Sequence, residues 1–173
     1  MTKITKPVFS HDGGDVKAGG CLLYKFNKDN ELYILLMKSR EKFEDLGGTT
    51  DTKDKTILDT ISREVYEESN KLISKESIKA RIEKLTPIYI KTSKYLLYIL
   101  EATEEEAKLK SELFGKLELH DNIKRTVHWM KYNRIKDEDY QEKLNFRLKY
   151  YPVFNKLKSV YNTRNSTRII ELE

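Results

Sequence analysis

Cys21 is the only cysteine among 173 residues, which excludes an internal disulfide and a thiolate metal cluster. It sits in AGGCLLY, where a buried small hydrophobe is the preferred reading over a reactive thiol. No apolar run approaches the length of a membrane span, and the N-terminal MTKITKPVFS lacks the apolar core of a signal peptide. The expectation is an intracellular, cytoplasmic protein with no membrane partner. Internal repeats are missing too, and so is a large excess of one charge. Lys and Arg number 33 against 28 Asp and Glu, for a net +5 and a pI near 9.0, and the two signs are interleaved. That balance leans toward anionic partners and equally suits an ordinary lysine-rich surface. What is present is a chain with 35% charged and 38% hydrophobic residues, whose apolar residues come in periodic blocks. That pattern excludes disorder and predicts one folded domain.

Residues 1–17 are polar and carry Gly13 and Gly14, which predicts a flexible or loosely docked N-terminal segment. From Ala18, GGCLLYKF reads as a strand, residues 27–30 as a turn and ELYILLMKS as a second, central strand, together a hairpin. FEDLGG closes the next loop with two glycines. In DKTILDTISREVYEES, Ile57, Leu58, Ile61 and Val65 fall on one helical face, and Asp54 or Thr56 is placed to cap its start. Residues 88–102 supply one or two strands, TEEEAKLKSEL a charged connection, and RTVHWMKY another strand. From Lys136 the spacing of Tyr140, Leu144, Leu148 and Tyr151 is helical. Pro152 is placed to kink or split that element before Val153, Leu157, Val160 and Tyr161 resume it. The tail, residues 162–173, reads either as a frayed end or as a short edge strand. The order predicts an α/β (α+β) domain over residues 18–161, a mixed sheet covered by helices.

The end of the first helix is an odd piece of helix design. Glu64 faces both Glu67 and Glu68, so each pair repels, and all three crowd the end where the backbone dipole is already negative. Rotation of about 100° per residue puts Glu68 between Ile57 and Ile61 and Glu64 beside Ile57, on the border of the apolar stripe. Arg63, four residues before Glu67, offsets part of the cost of these placements. A divalent cation offsets much more, and oxygen-only ligands suit Mg²⁺ or Mn²⁺. Beside a diphosphate such an ion neutralises phosphoryl oxygens and acidifies a bound water, and a carboxylate not taken up by metal acts as general base. Gly47 and Gly48 lie close to the acids if their loop folds back, which leaves a backbone carbonyl as a further oxygen ligand.

GG, a spacer and REVYEE together resemble the signature of the Nudix hydrolases: glycine, five residues, Glu, seven residues, then Arg-Glu-aliphatic-any-Glu-Glu-any-Gly-aliphatic. Arg63, Glu64, Val65, Glu67 and Glu68 match its central part position by position, and Gly48 matches its leading glycine. AGGCLLY and ELYILLMKSR before the box, and KYLLYILEA and RTVHWMKY after it, follow the family's layout, so the resemblance covers roughly residues 17 to 160. Three departures stand out. The stretch from Gly48 to Arg63 is one residue longer, with the first glutamate's place falling at Asp54 or Lys55. Asn70 replaces the closing glycine, a residue that also takes the left-handed conformation. Lys71 stands where an aliphatic is usual.

The resemblance implies an α/β/α sandwich around a mixed sheet and Mg²⁺- or Mn²⁺-dependent hydrolysis of a diphosphate linkage by water attack on phosphorus. It implies Glu64 and Glu68 as metal ligands, Glu67 as a ligand or the base, Arg63 as the residue orienting the acids, and a homodimer as a common state. Among groups outside the box, Glu101 and the run Glu104, Glu105, Glu106 are either contributors to the site or a solvated turn. Lys38, Arg40, Lys42, Lys124 and Arg125 are placed near the mouth. Lys38 and Arg40, with His120 in a rim loop, are the candidate substrate contacts, although a loop histidine without a role is the plainer reading of His120. Trp129 and Tyr95, Tyr98, Tyr150 and Tyr151 either stack on a base or serve as core, while His11 and His128 receive no role. The first expectation for the substrate is a nucleotide-linked diphosphate. Alternatives are dinucleoside polyphosphates, inositol pyrophosphates and capped messenger RNA. A rival of another class is an inactive fold that only binds nucleotide or RNA, against which retention of all three glutamates argues.

Overall fold

The computed structural model of the chain describes residues 4–119 and 123–172. In chain order the first strands are β1 (Phe9–His11), β2 (Gly14–Val16), β3 (Ala18–Phe26), β4 (Leu32–Ser39), β5 (Lys42–Glu44) and β6 (Leu46–Thr49). Helices α1 (Ile57–Glu68) and α2 (Lys75–Ile82) follow, then β7 (Ile88–Ile90) and β8 (Tyr95–Glu101). A short α3 (Glu104–Ala107) and β9 (Thr126–Lys131) lead into α4 (Tyr132–Ile135), α5 (Glu138–Gln141), α6 (Phe146–Lys149) and α7 (Tyr151–Leu172).

β3 organises a seven-stranded mixed sheet. Its residues 18–23 are all buried, as an apolar and glycine run at the centre of a sheet should be. Along one edge it pairs in parallel with β8. Along the other it pairs antiparallel first with β6 and then, from Tyr24 to Phe26, with β4. β4 also pairs with β9 from Tyr33 to Lys38 and, beyond its contact with β3, with β5 from Met37 to Ser39. Side chains alternate between the two faces. Cys21, Leu23, Leu35 and Met37 pack with Ile61 and Val65 of α1 and Ile78 and Ile82 of α2. Leu22, Ile34 and Leu36 pack on the other face with Tyr132, Leu144, Leu148, Val153 and Leu157. The result is the expected α/β/α sandwich, with Cys21 buried in its core as a packing residue.

Helix α1 starts at a capping box: Thr56 accepts from the Asp59 amide while the Asp59 carboxylate accepts from the Thr56 amide. It ends where Asn70 and Lys71 turn left-handed, with φ of 55° and 70°, so Asn70 takes the conformation that the replaced glycine would supply.

Several expectations are revised or extended. Part of the N-terminal segment is a β1–β2 hairpin, docked by the Tyr89 hydroxyl donating to the Asp15 carbonyl and by fully buried Val16. FEDLGG forms two strands, not a loop, and α2 was not foreseen. The helical element expected from Lys136 to Pro152 is broken earlier as well, because residues 143–145 leave helical geometry to bond β5, Phe43 N to Lys143 O and Asn145 N to Phe43 O, each at 2.8 Å. The element is split just ahead of Pro152 as expected, Tyr150 being extended and Pro152 lying in the first turn of α7, where its missing N–H costs nothing, and the helical backbone runs on through the tail to Leu172. Among the described residues no helix is long and apolar enough to cross a membrane.

Candidate active site

The floor of the site is backbone. β3 and β6 meet glycine to glycine, Gly19 opposite Gly48 and Gly20 opposite Gly47, and α1 lies down onto this bare patch. A Cβ on Gly48 would stand 2.6 Å from both carboxylate oxygens of Glu64, so the close approach of Glu64 requires glycine there. One residue earlier, the Gly47 amide donates to Glu68 Oε2 at 2.8 Å. Glu68 is only 5% exposed, its position on the apolar stripe having turned it inward.

Arg63 occupies the middle of the cluster. Its Nε and Nη2 fork onto Asp54 at 3.1 and 3.0 Å, and Nη2 also donates to the Thr49 carbonyl at 3.0 Å. Its Nη1 donates to Glu64 Oε1 at 3.0 Å and Glu67 Oε2 at 3.3 Å. Asp54 is itself buried and held by the Asp51 amide and the Thr60 hydroxyl. Of Asp54 and Lys55, it is Asp54 that meets the cluster, anchoring the arginine from the longer loop.

Burial pushes the Glu64 carboxyl up to about 7. Arg63 pulls it down without cancelling that effect, and Glu67 and Glu118 push it further up. Burial, then the charges of Glu64 and Glu118, hold Glu68 well above the usual carboxylate range in spite of the Gly47 amide. Burial also opposes the charges of Asp54 and Arg63, but their mutual hydrogen bonds win, leaving Asp54 lowered and Arg63 raised. The cluster holds more carboxylate than one guanidinium neutralises.

No basic residue occupies the last turn of α1. The missing charge arrives from far along the chain. Arg125, 2% exposed, donates Nη2 to the Glu68 carbonyl and Nη1 to the Gly115 carbonyl, both at 2.7 Å. It thereby caps the negative end of the helix that carries the acids.

A cavity of about 330 Å³ opens beside Glu68, walled by Glu44 and Glu118, by Arg40 and Lys42, and by Met37, Ile123 and Asn145. Arg40 is thus brought to the site and Lys38 is not. Lys38 follows Met37 onto the opposite sheet face, where it lines a separate hollow with Phe43, His128 and Tyr140. Arg125 is a buried fastening, not a residue of the mouth, and His120 lies outside the described residues. Glu106 is gripped by Arg81, and Glu104 and Glu105 face a different hollow. Tyr95 and Tyr98 are core, Trp129 donates to the Leu109 carbonyl, and Tyr150 and Tyr151 are exposed. Glu44 and Glu118 were missed because neither lies in a pattern; only the sheet pairing and the chain's return past residue 115 bring them to Glu68.

The donor set fits a hard divalent cation in kind, being carboxylate and carbonyl oxygen. Among the described residues no three His, Cys, Asp or Glu side chains are grouped to hold an ion as they stand. Glu64 and Glu67 are turned onto Arg63, and a cation would have to draw them off it.

No protein-family model matches the sequence, and the search of curated proteins gave no match. Among solved structures the chain is similar to a Nudix hydrolase from M. smegmatis, RenU, with 15% identity and a TM-score of 0.45 over 90% of this chain and 95% of that one. A likeness of that depth bears on neither chemistry nor substrate, which rest on this chain's own residues.

Proposed function

We propose that the chain is a Nudix-type hydrolase that splits a diphosphate linkage in a nucleotide-derived anion, with Mg²⁺ or Mn²⁺ held by Glu64, Glu68 and a backbone oxygen at Gly48. One observation carries the reading: Asp54, Glu64 and Glu67 share the single guanidinium of Arg63, with Glu68 buried behind them beside a cavity that Arg40 and Lys42 line. A cluster that served only to fasten the fold would not carry this excess of buried negative charge. When bound, the ion supplies positive charge to phosphoryl oxygens and acidifies a water.

Glu67 is the most exposed of the three glutamates at 29%, and its bond to Arg63 is the longest that this arginine makes. It is the group assigned to take the water's proton as the water oxygen bonds to phosphorus. The bridging P–O bond breaks in the same event and its electron pair leaves on the departing phosphate. Arg63, anchored by Asp54, aims Glu64 and Glu67. Arg40 and Lys42 attract the phosphates.

Purified protein with Mg²⁺ or Mn²⁺ is expected to turn over at least one of a panel of nucleoside diphosphate derivatives, dinucleoside polyphosphates, inositol pyrophosphates and capped RNA, and Glu67→Gln to slow that turnover by about a hundredfold or more. Equal turnover by the variant removes Glu67 from the base role. Binding of nucleotide or RNA without any turnover makes the chain a binding module instead.

A further inference from the structure

The C-terminal helical layer reaches the acid site through Asn145, which lines the cavity, and through a buried charge at Arg147. Arg147 of α6, 102 residues after Asp45, donates Nε to Asp45 Oδ1 at 3.0 Å, with Nη2 equally close. Its guanidinium lies over the Tyr95 ring at 4.2 Å, and the Tyr95 hydroxyl donates to the second oxygen of Asp45. Asp45 is 1% exposed, and Arg147 is its ion-pair partner, the counter-charge that a buried carboxylate requires. This trio packs directly on the floor of the site: the Tyr95 hydroxyl and the Asp45 carboxylate stand where Gly20 would carry a Cβ, and the same hydroxyl stands where Gly47 would. Gly47 is the residue whose amide holds Glu68. One residue before Asp45, Glu44 faces the cavity, its Oε2 held by Asn145 at 3.3 Å and lying 3.6 Å from Arg147.

We propose that Arg147 is a positioning residue for the acid site: by locking Asp45 and Tyr95 it fixes the Gly47 amide and through it the Glu68 carboxylate, and by holding Glu44 it fixes the facing wall of the cavity. The proposal rests on reading the carboxylate cluster as a functional site. Fastening the helical layer to the sheet does not need this arginine, because backbone hydrogen bonds between Phe43 and residues 143 and 145 already join the two. What Arg147 adds is a charge placed under the acids. Partners of this kind, which orient the groups that bind an ion, typically influence affinity or activity by about 10- to 100-fold.

Arg81 supplies the matched control, since it grips Glu106, which does not line the cavity beside Glu68. The experiment compares Arg147→Gln, Arg147→Lys and Arg81→Gln by amide exchange at Gly47, by affinity for Mn²⁺ alone and by melting temperature. In Arg147→Gln, Gly47 exchange is expected to rise and Mn²⁺ affinity to fall, each by about tenfold or more, with part of both recovered in Arg147→Lys. Arg81→Gln is expected to lower the melting temperature without either change. Wild-type exchange at Gly47 in Arg147→Gln overturns the proposal. A wild-type protein that fails to bind Mn²⁺ sinks the cation reading alone, and Gly47 exchange still decides the positioning role. If Arg147→Gln does not fold, Tyr95→Phe, which removes only the hydroxyl on Asp45, is put to the same test with the same two outcomes.

Discussion

Arg63 and Arg81 both project from helices to meet buried acids, and their charge balances differ. Arg81 on α2 grips both oxygens of Glu106 at 3.0 to 3.1 Å, and Glu106 in turn caps α3 by accepting from the Thr103 amide. One cation meets one anion, and the pair joins two elements. Arg63 meets Asp54, Glu64 and Glu67, with Glu68 buried behind them. Here the anions outnumber the cation, burial raises the pKa of two of them, and the cluster borders a cavity. A structural pair is built to balance; a site that handles a charged partner keeps an imbalance that the partner completes.

The largest effects should fall on one side of this comparison only. Glu67→Gln is expected to lower kcat/KM on the accepted diphosphate by about 10²- to 10⁴-fold, the usual contribution of a general base. Glu106→Gln should leave kcat/KM within about twofold while costing on the order of 1–2 kcal/mol in urea unfolding. Comparable losses of activity in the two variants would erase the distinction.

Next comes Gly48→Ala. A methyl group 2.6 Å from the Glu64 oxygens must displace that side chain, and an activity loss of about 10- to 100-fold is expected, with the melting temperature only modestly lowered. An unimpaired Gly48→Ala enzyme would show that Glu64 need not sit on the floor.

Stability against pH tests the imbalance itself. The Glu64 carboxyl titrates near 4.5 in the unfolded chain and at about 7 in the fold, so the folded state binds a proton that the unfolded state has already lost. Without a divalent cation, stability should be greatest below about pH 4.5 as far as this group is concerned, and should fall by on the order of 1–3 kcal/mol as pH rises through 7. Urea titrations should find that slope reduced in Glu64→Gln and by added Mg²⁺, and unchanged in Arg81→Gln. The smallest effects separate the two lysine and arginine candidates: Arg40→Ala is expected to raise KM severalfold, by up to about tenfold, and Lys38→Ala to change it by less than about twofold.

Local patterns made much of this legible. The apolar runs GGCLLYKF and ELYILLMKS mark the central strands, and Thr56 caps α1 as its residue type and spacing indicate. Asn70 ends the helix in the conformation expected of it. Elements held by distant partners were less legible. Residues 143–145 have helical spacing, yet the backbone groups of Phe43 compete for them and win. Lys38 and Arg40 look alike as neighbouring cations, and strand alternation alone would put them on one face, but Arg40 lies beyond the end of β4 in a left-handed turn, φ 50°, and reaches the Glu68 cavity while Lys38 lines another.

By itself the sequence determined that three glutamates and an arginine share one helix end, and that the cost of this placement calls for an explanation. Helical geometry is local, so spacing alone puts those charges together. The tertiary structure decided what completes them. Asp54 anchors Arg63 across the longer loop, Arg125 caps the negative helix end, Glu44 and Glu118 wall the cavity, and Arg147 braces the floor from more than a hundred residues away. No pattern in the chain announces these partners, because a buried charge is compensated by whatever the fold brings within a few ångströms of it, and contacts at that range between distant residues exist only once the sheet has formed.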